Sequence, residues 1–314
     1  MKKKLVAGAV TLLSVVTLAA CANGTNKDIV TMKGDTITVS DFYDEIKTNQ
    51  GAQQVLFQMT INKVFEKEYG SKVSDKEVDK ELAKQKKQLG NQFDAYLAQQ
   101  GLTEETAKKQ IRSNMLLEYA VSQAAKKDIK ESDYKTAFES YTPEVTAQII
   151  KLDSEDKAKE VLEAAKAEGA DFAKIAKDNS TDTATKDKGG EVKFDSGTAD
   201  IPSQVKEAAF KLDENGISDV ITVSAGQNYS ASYYIVKLNK KTEKDSDWKK
   251  YEKRLKEIIV DGRKQDTNFI RSVIAKAMTN ANIKVKDDAF KSTFNQYLQN
   301  IGVETSDSKS SSKK

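Results

Sequence analysis

The chain is 314 residues long, with 51 basic against 48 acidic residues and 32% of its positions charged. It has no histidine and a single cysteine, which excludes Ser-His-Asp triads, Cys-His pairs, internal disulfides and the commonest metal ligand together. The near-balance of charge argues against a dedicated nucleic-acid binder, which carries a basic excess, and no metal or other cofactor is expected.

Lys2, Lys3 and Lys4 precede an uncharged run from Leu5 to Ala20. That run is too short to span a bilayer, since ~30 Å of hydrocarbon needs about twenty apolar residues. A charged start, a short apolar stretch and small residues before a junction describe an export signal over residues 1–20. The junction Leu18-Ala19-Ala20-Cys21 resembles a bacterial lipobox. In signals of that kind the cysteine sulfur receives a diacylglycerol, and cleavage leaves it as the first residue. Two acyl chains hold a protein on a membrane stably where one does not. Cys21 is therefore the expected lipidation site. Loss of residues 1–20 removes three lysines and no acid, leaving 48 basic against 48 acidic residues. Residues 21–27 read as a polar spacer.

From Asp28 to Tyr141 the pattern is helical with interruptions. Thr38 to Asn49 reads as a helix capped by Ser40 or Thr38. Phe57, Ile61, Val64 and Phe65 share a helical face that Gly70 ends. Ser74 and Glu77 form a capping box. Thr103 opens another helix, with Ile111, Met115 and Leu116 inward, and Ser132 is expected to cap one more. Thr142-Pro143 breaks the pattern. Val145 to Leu152 reads as a strand. Ser154 to Glu168 and Asp171 to Asp178 read as helices, and Gly189-Gly190 as a turn. Gln204 to Leu212 is helical, Glu214-Asn-Gly216 turns the chain, and Ile217 to Val223 and Tyr233 to Leu238 read as strands. After Lys240 the helices return, with Trp248, Tyr251, Leu255, Ile258 and Ile259 stepping along one face. Phe269 to Ala277 continues them, and Asp287 to Asn300 reads as a last helix. From Thr305 the chain has no apolar residue and reads as a disordered tail.

The middle of the chain resembles the parvulin family of peptidyl-prolyl isomerases. The resemblance is carried by "TAQIIKL", "GADFAKIAKDNSTD", "KDKGGE", "AAFKLDENGISDV" and "YYIVKL", in the family's order across roughly residues 145–240. With a lipobox before it and helices on both sides, the whole plan is similar to that of lipid-anchored foldases of Gram-positive bacteria and, more distantly, of SurA-like periplasmic chaperones. The resemblance implies an α+β fold: a central parvulin-like domain, a small antiparallel sheet with helices, inserted between mainly α-helical segments that together form a SurA-like chaperone domain. The expected division is a signal (1–20), a spacer (21–27), an N-terminal helical domain (28–141), the parvulin-like domain (142–240), C-terminal helices packing with the N-terminal domain (241–303) and a tail (304–314).

Parvulins place two histidines in the pocket floor, a Cys or Asp beside them, and apolar residues around the proline ring. The resemblance carries the first histidine onto Gln148, the Cys/Asp position onto Asp182 and the second histidine onto Tyr234. The apolar positions fall on Val192, Ile201 and Val205, while Phe210 reads as core. Gln148 and Tyr234 can both donate and accept hydrogen bonds across the floor, but replacement of both histidines predicts weakened isomerisation. The implied function is a foldase on the outer face of the cell membrane, with unfolded or newly secreted proteins as partners, the membrane reached through the lipid on Cys21, no nucleic acid, and a homodimer as a possible assembly. A holdase of the same plan and a solute-binding lipoprotein of a transporter are the alternatives. The second of these requires repeated strand–helix alternation, which the helical flanks do not have.

Overall fold

The computed structural model describes residues 27–224 and 231–298. The expected signal, Cys21, most of the spacer and the tail lie outside the described residues. The chain divides into two compact units, Met1–Val64 with Met278–Lys314, and Phe65–Ala277.

The first elements depart from the helical expectation. Strands β1 (Asp28–Met32) and β2 (Asp35–Thr38) pair antiparallel, with Met32 opposite Asp35, so Lys33-Gly34 is a two-residue turn and Gly34 takes φ 92°. The one local signal for it is the Lys33-Gly34 pair at the turn. Helix α1 (Val39–Ile46) starts where Thr38 caps it: the Thr38 hydroxyl accepts from the Asp41 N–H and the Asp41 carboxylate accepts from the Thr38 N–H. That reciprocal pair satisfies two otherwise orphaned donors. Helix α2 (Gln50–Tyr69) stops at Gly70.

Helices α3 (Asp75–Leu89), α4 (Phe93–Gln99), α5 (Glu104–Asp128) and α6 (Glu131–Ser140) follow. Ser74 and Thr103 cap α3 and α5 as expected. Ser132 does not cap α6: it lies inside the first turn, and the Asp133 carboxylate accepts from the Lys130 N–H one residue before the helix. An ionised carboxylate is the stronger acceptor there and also suits the helix dipole.

Next come β3 (Val145–Leu152), α7 (Glu155–Lys166), α8 (Phe172–Asn179), β4 (Glu191–Phe194), α9 (Ser203–Lys211), β5 (Ile221–Val223) and β6 (Ser232–Lys240). The four strands form one antiparallel sheet in the order β4-β3-β6-β5. The segment expected as a strand from Ile217 is shorter, with Ile217 making only an isolated bridge to Lys237. Alternation along β3 divides its residues between two cores. Ala147 and Ile149 join Val236, Leu238, Val205 and Ala209 on one face. Ile150 and Leu152 join Ile235, Ala158, Val161 and Phe172 on the other. Each buried Val, Leu or Ile contributes ~1.5–3 kcal/mol, so a sheet covered on both faces is firmly specified.

Helices α10 (Glu252–Gln265), α11 (Thr267–Asn280) and α12 (Lys291–Leu298) complete the chain. Helix α10 packs against α5 and α6. The approach to it is lined with rings: Trp248 stacks on Tyr134 at 5.1 Å and Tyr251 on Phe138 at 5.8 Å. Arg263 reaches the Ala125 carbonyl and the Asp133 carboxylate. In the other unit, Phe57 of α2 meets Phe294 and Tyr297 of α12 at 5.4 and 4.4 Å.

Candidate functional site

The sheet face formed by Ala147, Ile149, Val236 and Leu238, all buried, gathers the residues expected around a proline pocket. Val192 pairs with Ala147 and therefore shares its face. Tyr234 pairs with Lys151 and Ile221, again on that face. Ile201 reaches the same cluster from the loop after β4, and Val205 from α9. Val192, Ile201 and Tyr234 are half-buried, whereas Val205 is fully buried. Three of the expected positions are thus partly exposed on one apolar cluster, and the fourth, Val205, is enclosed within it. Phe210 lies 5.8 Å from Phe194 and packs on the same core.

Gln148 stands elsewhere. It pairs with Lys237, on the face of Ile150 and Ile235, and its Nε2 donates to the Gly189 carbonyl at 2.9 Å. Gly189 and Gly190 turn the chain there at φ 68° and 78°. A Cβ on Gly190 would come within 2.5 Å of the Ile149 carbonyl oxygen, so the turn is pressed directly against β3 and only glycine fits. The sheet does not bring Gln148 and Tyr234 together: one bonds to a turn and the other packs on the apolar cluster of the opposite face.

Asp182 follows β3's neighbour Thr181, whose N–H donates to the Lys151 carbonyl. Its carboxylate accepts from the Thr185 hydroxyl at 2.5 Å and the Ala184 N–H at 3.2 Å, which makes it an Asx-turn residue. It acts on Tyr234 through charge. Burial, and then the negative charges of Asp182 and Asp153, hold the Tyr234 phenol above its ordinary value. The hydroxyl is therefore a protonated donor at neutral pH.

Sequence reasoning missed two features. One is Asp195, at the end of β4, buried and gripped by Arg254 from α10 at 2.6 and 2.8 Å. An aspartate in "KFDSG" gives no sign of a partner 59 residues away. The other is an open groove of about 760 Å³ in the first unit, lined chiefly by Val55, Leu56, Met59, Ile283, Val285 and Phe290. Val55 and Met59 are 60% and 51% exposed, the outer face of a helix whose inner face is core. Among the described residues no group of His, Cys, Asp and Glu could hold a metal ion.

A four-stranded antiparallel sheet in the order β4-β3-β6-β5, with helices packed on both faces, has the form of a parvulin-type peptidyl-prolyl isomerase domain. Residues 141–240 match the family model for the rotamase PPIC-type PPIase domain. Curated relatives named foldase protein PrsA are similar over nearly the whole chain: one from Streptococcus sanguinis is 63% identical over 96% of this chain and 90% of its own length, and one from Streptococcus gordonii is 60% identical over all of both. The crystal structure of foldase protein PrsA from Streptococcus pneumoniae superposes with a TM-score of 0.81 at 54% identity, covering 86% of this chain and 99% of that one. The PrsA from Lactococcus lactis gives 0.64 at 39% identity, with coverage of 86% and 99%. The chain belongs to the PrsA family of foldases.

Proposed function

We propose that this foldase is held on the extracytoplasmic face of the cell membrane by a lipid on Cys21, where it assists newly secreted proteins in folding. Apolar stretches of a client lodge in the groove of the first unit, and client prolines enter the pocket of the central domain. The prolyl reading rests on one observation, the convergence of Val192, Ile201 and Tyr234 around a single apolar floor backed by Val205.

Rotation about an X–Pro bond faces a barrier of ~20 kcal/mol because the amide must lose its resonance. In the twisted state the nitrogen regains a lone pair and accepts a hydrogen bond that it refuses when planar. A protonated phenol beside the proline ring donates there, an interaction stronger in the transition state than in the ground state. In this reading Tyr234 is the donor, Val192 and Ile201 grip the ring, Asp182 orders the loop beside them through its Asx turn, and Gln148 acts only through the turn at Gly189.

A second reading, a holdase whose pocket grips proline without turning it, is favoured by the engagement of Gln148 with Gly189. Exchange NMR on a prolyl peptide with the full chain separates the two. Cis/trans exchange faster than in buffer, lost in Tyr234→Phe, supports the isomerase; peptide binding at the buffer rate leaves the holdase. Anchoring is tested by fatty-acid labelling of cells, which Cys21→Ala should abolish while releasing the protein from membranes.

A further inference from the structure

Outside the segment that matches the isomerase family, helix α10 reaches back and grips the loop that shapes the pocket. Asp195 directly follows β4, three residues after Val192, and opens the loop that carries Ile201. Its carboxylate is only 7% exposed. Arg254 of α10 donates through Nε to Oδ2 at 2.6 Å and through Nη2 to Oδ1 at 2.8 Å. The Tyr141 hydroxyl donates to Oδ2 at 3.2 Å, and the Thr198 hydroxyl and Gly197 N–H donate to Oδ1, each at 3.0 Å. Five hydrogen bonds from four residues thus converge on that one carboxylate. At Gly197 an added Cβ would lie 2.4 Å from Ile258 Cγ1, so the loop backbone lies flush against α10. The far side of the loop is tied to α9: Lys206 Nζ donates to the Ser196 and Thr198 carbonyls at 2.9 and 2.6 Å. Val205, one residue earlier in α9, backs the pocket.

We propose that Arg254 is a positioning residue for the prolyl pocket: by a two-pronged grip on Asp195 it sets the loop that presents Ile201, so the isomerase pocket is completed by a helix outside the isomerase domain. A planar guanidinium fixes both position and orientation of a carboxylate, which a lysine ammonium does not. A small displacement of a binding side chain is costly to substrate capture even when no contact to the substrate is removed. The inference depends on the pocket reading given above, and the test distinguishes the two.

The experiment uses the full chain and compares wild type, Arg254→Gln, Arg254→Lys and a control, Arg112→Gln. Arg112 makes a similar clasp on Glu66 and on the Gly70 and Val73 carbonyls, away from the pocket. Each variant is assayed well below its own thermal midpoint for kcat and KM on a prolyl peptide, with peptide Kd by NMR titration as a second readout. Arg254→Gln and Arg254→Lys should both raise KM or Kd by about tenfold with kcat little changed. Arg112→Gln should lower thermal stability and leave both constants alone. In a double mutant, Ile201→Ala should cost less on top of Arg254→Gln than on wild type, since the side chain is already misplaced. Unchanged KM and Kd in folded Arg254 variants overturn the proposal, as does an equal rise in Arg112→Gln. If wild type neither binds nor turns the peptide, the pocket reading itself has failed.

Discussion

Gln148 and Tyr234 lie on opposite faces of the central sheet. Gln148 pairs with Lys237, and Tyr234 lies three residues earlier in the same strand, an odd number, so the pleat turns the two side chains apart. The positions where the family carries its two histidines therefore have different surroundings in this chain.

That separation makes a mutational prediction. Ile201→Ala removes apolar surface from the pocket and should lower kcat/KM for a prolyl peptide about tenfold. Gln148→Ala should leave kcat/KM within about twofold and lower stability by ~1 kcal/mol, the worth of one hydrogen bond to a turn carbonyl. Exchange NMR and urea unfolding read the two effects. Equal losses of activity in both variants would contradict the assignment of faces.

The glycine turn predicts a stability defect. Gly190 has φ 78°, and its Cβ would press on the Ile149 carbonyl and amide at 2.5 and 3.0 Å, both backbone atoms that cannot swing away. Gly190→Ala should destabilise the protein by ~2–4 kcal/mol through strain at that backbone. Gly34→Ala also meets a positive φ but nothing within 4 Å, so its cost should be ~1 kcal/mol. Comparable unfolding midpoints for the two variants would rule out the close approach as the cause.

Asp195 predicts a pH dependence. Burial pushes its carboxyl up, but the hydrogen bonds from Arg254 and Thr198 and the Arg254 charge outweigh it and hold the group below its ordinary value. A carboxyl depressed in the folded state contributes stability that is fully present above the unfolded value, ~4, and is lost as pH falls through the folded value. The difference in Tm between wild type and Asp195→Asn should be constant from about pH 5 to 7 and shrink below about pH 4. A gap independent of pH down to acid unfolding would show that the grip on the loop is not ionic.

The groove of the first unit predicts a separable activity. Met59→Lys places a charge on an apolar lining without touching the core residues Phe57, Ile61 and Val64. Suppression of aggregation of an unfolded client should fall severalfold, with prolyl-peptide exchange unchanged. Loss of both together would place client binding in the central domain instead.

Much of the architecture was legible before any coordinates. Ser74 with Glu77, Thr103, Asp171 and Thr142-Pro143 mark their boundaries because caps and breakers act within one turn of the chain. The strand from Val145 to Leu152 is legible because it is rich in apolar and β-branched residues and follows directly on the Thr142-Pro143 break. Local signals failed where partners decide the outcome. The hairpin at Asp28–Thr38 and strand β4 are too short for alternation to stand out, and the second becomes a strand only by pairing with β3.

The sequence by itself determined the class of the central domain and most of its element boundaries. These are properties of local order and motif spacing. Tertiary structure alone decided that Gln148 and Tyr234 part company, that Val205 is fully enclosed, and that Asp195 belongs to Arg254. Those outcomes depend on the register of two strands and on a contact 59 residues apart in the chain. A one-residue slip of register would exchange the faces, and the packing of both cores, spread over many distant residues, is what forbids it.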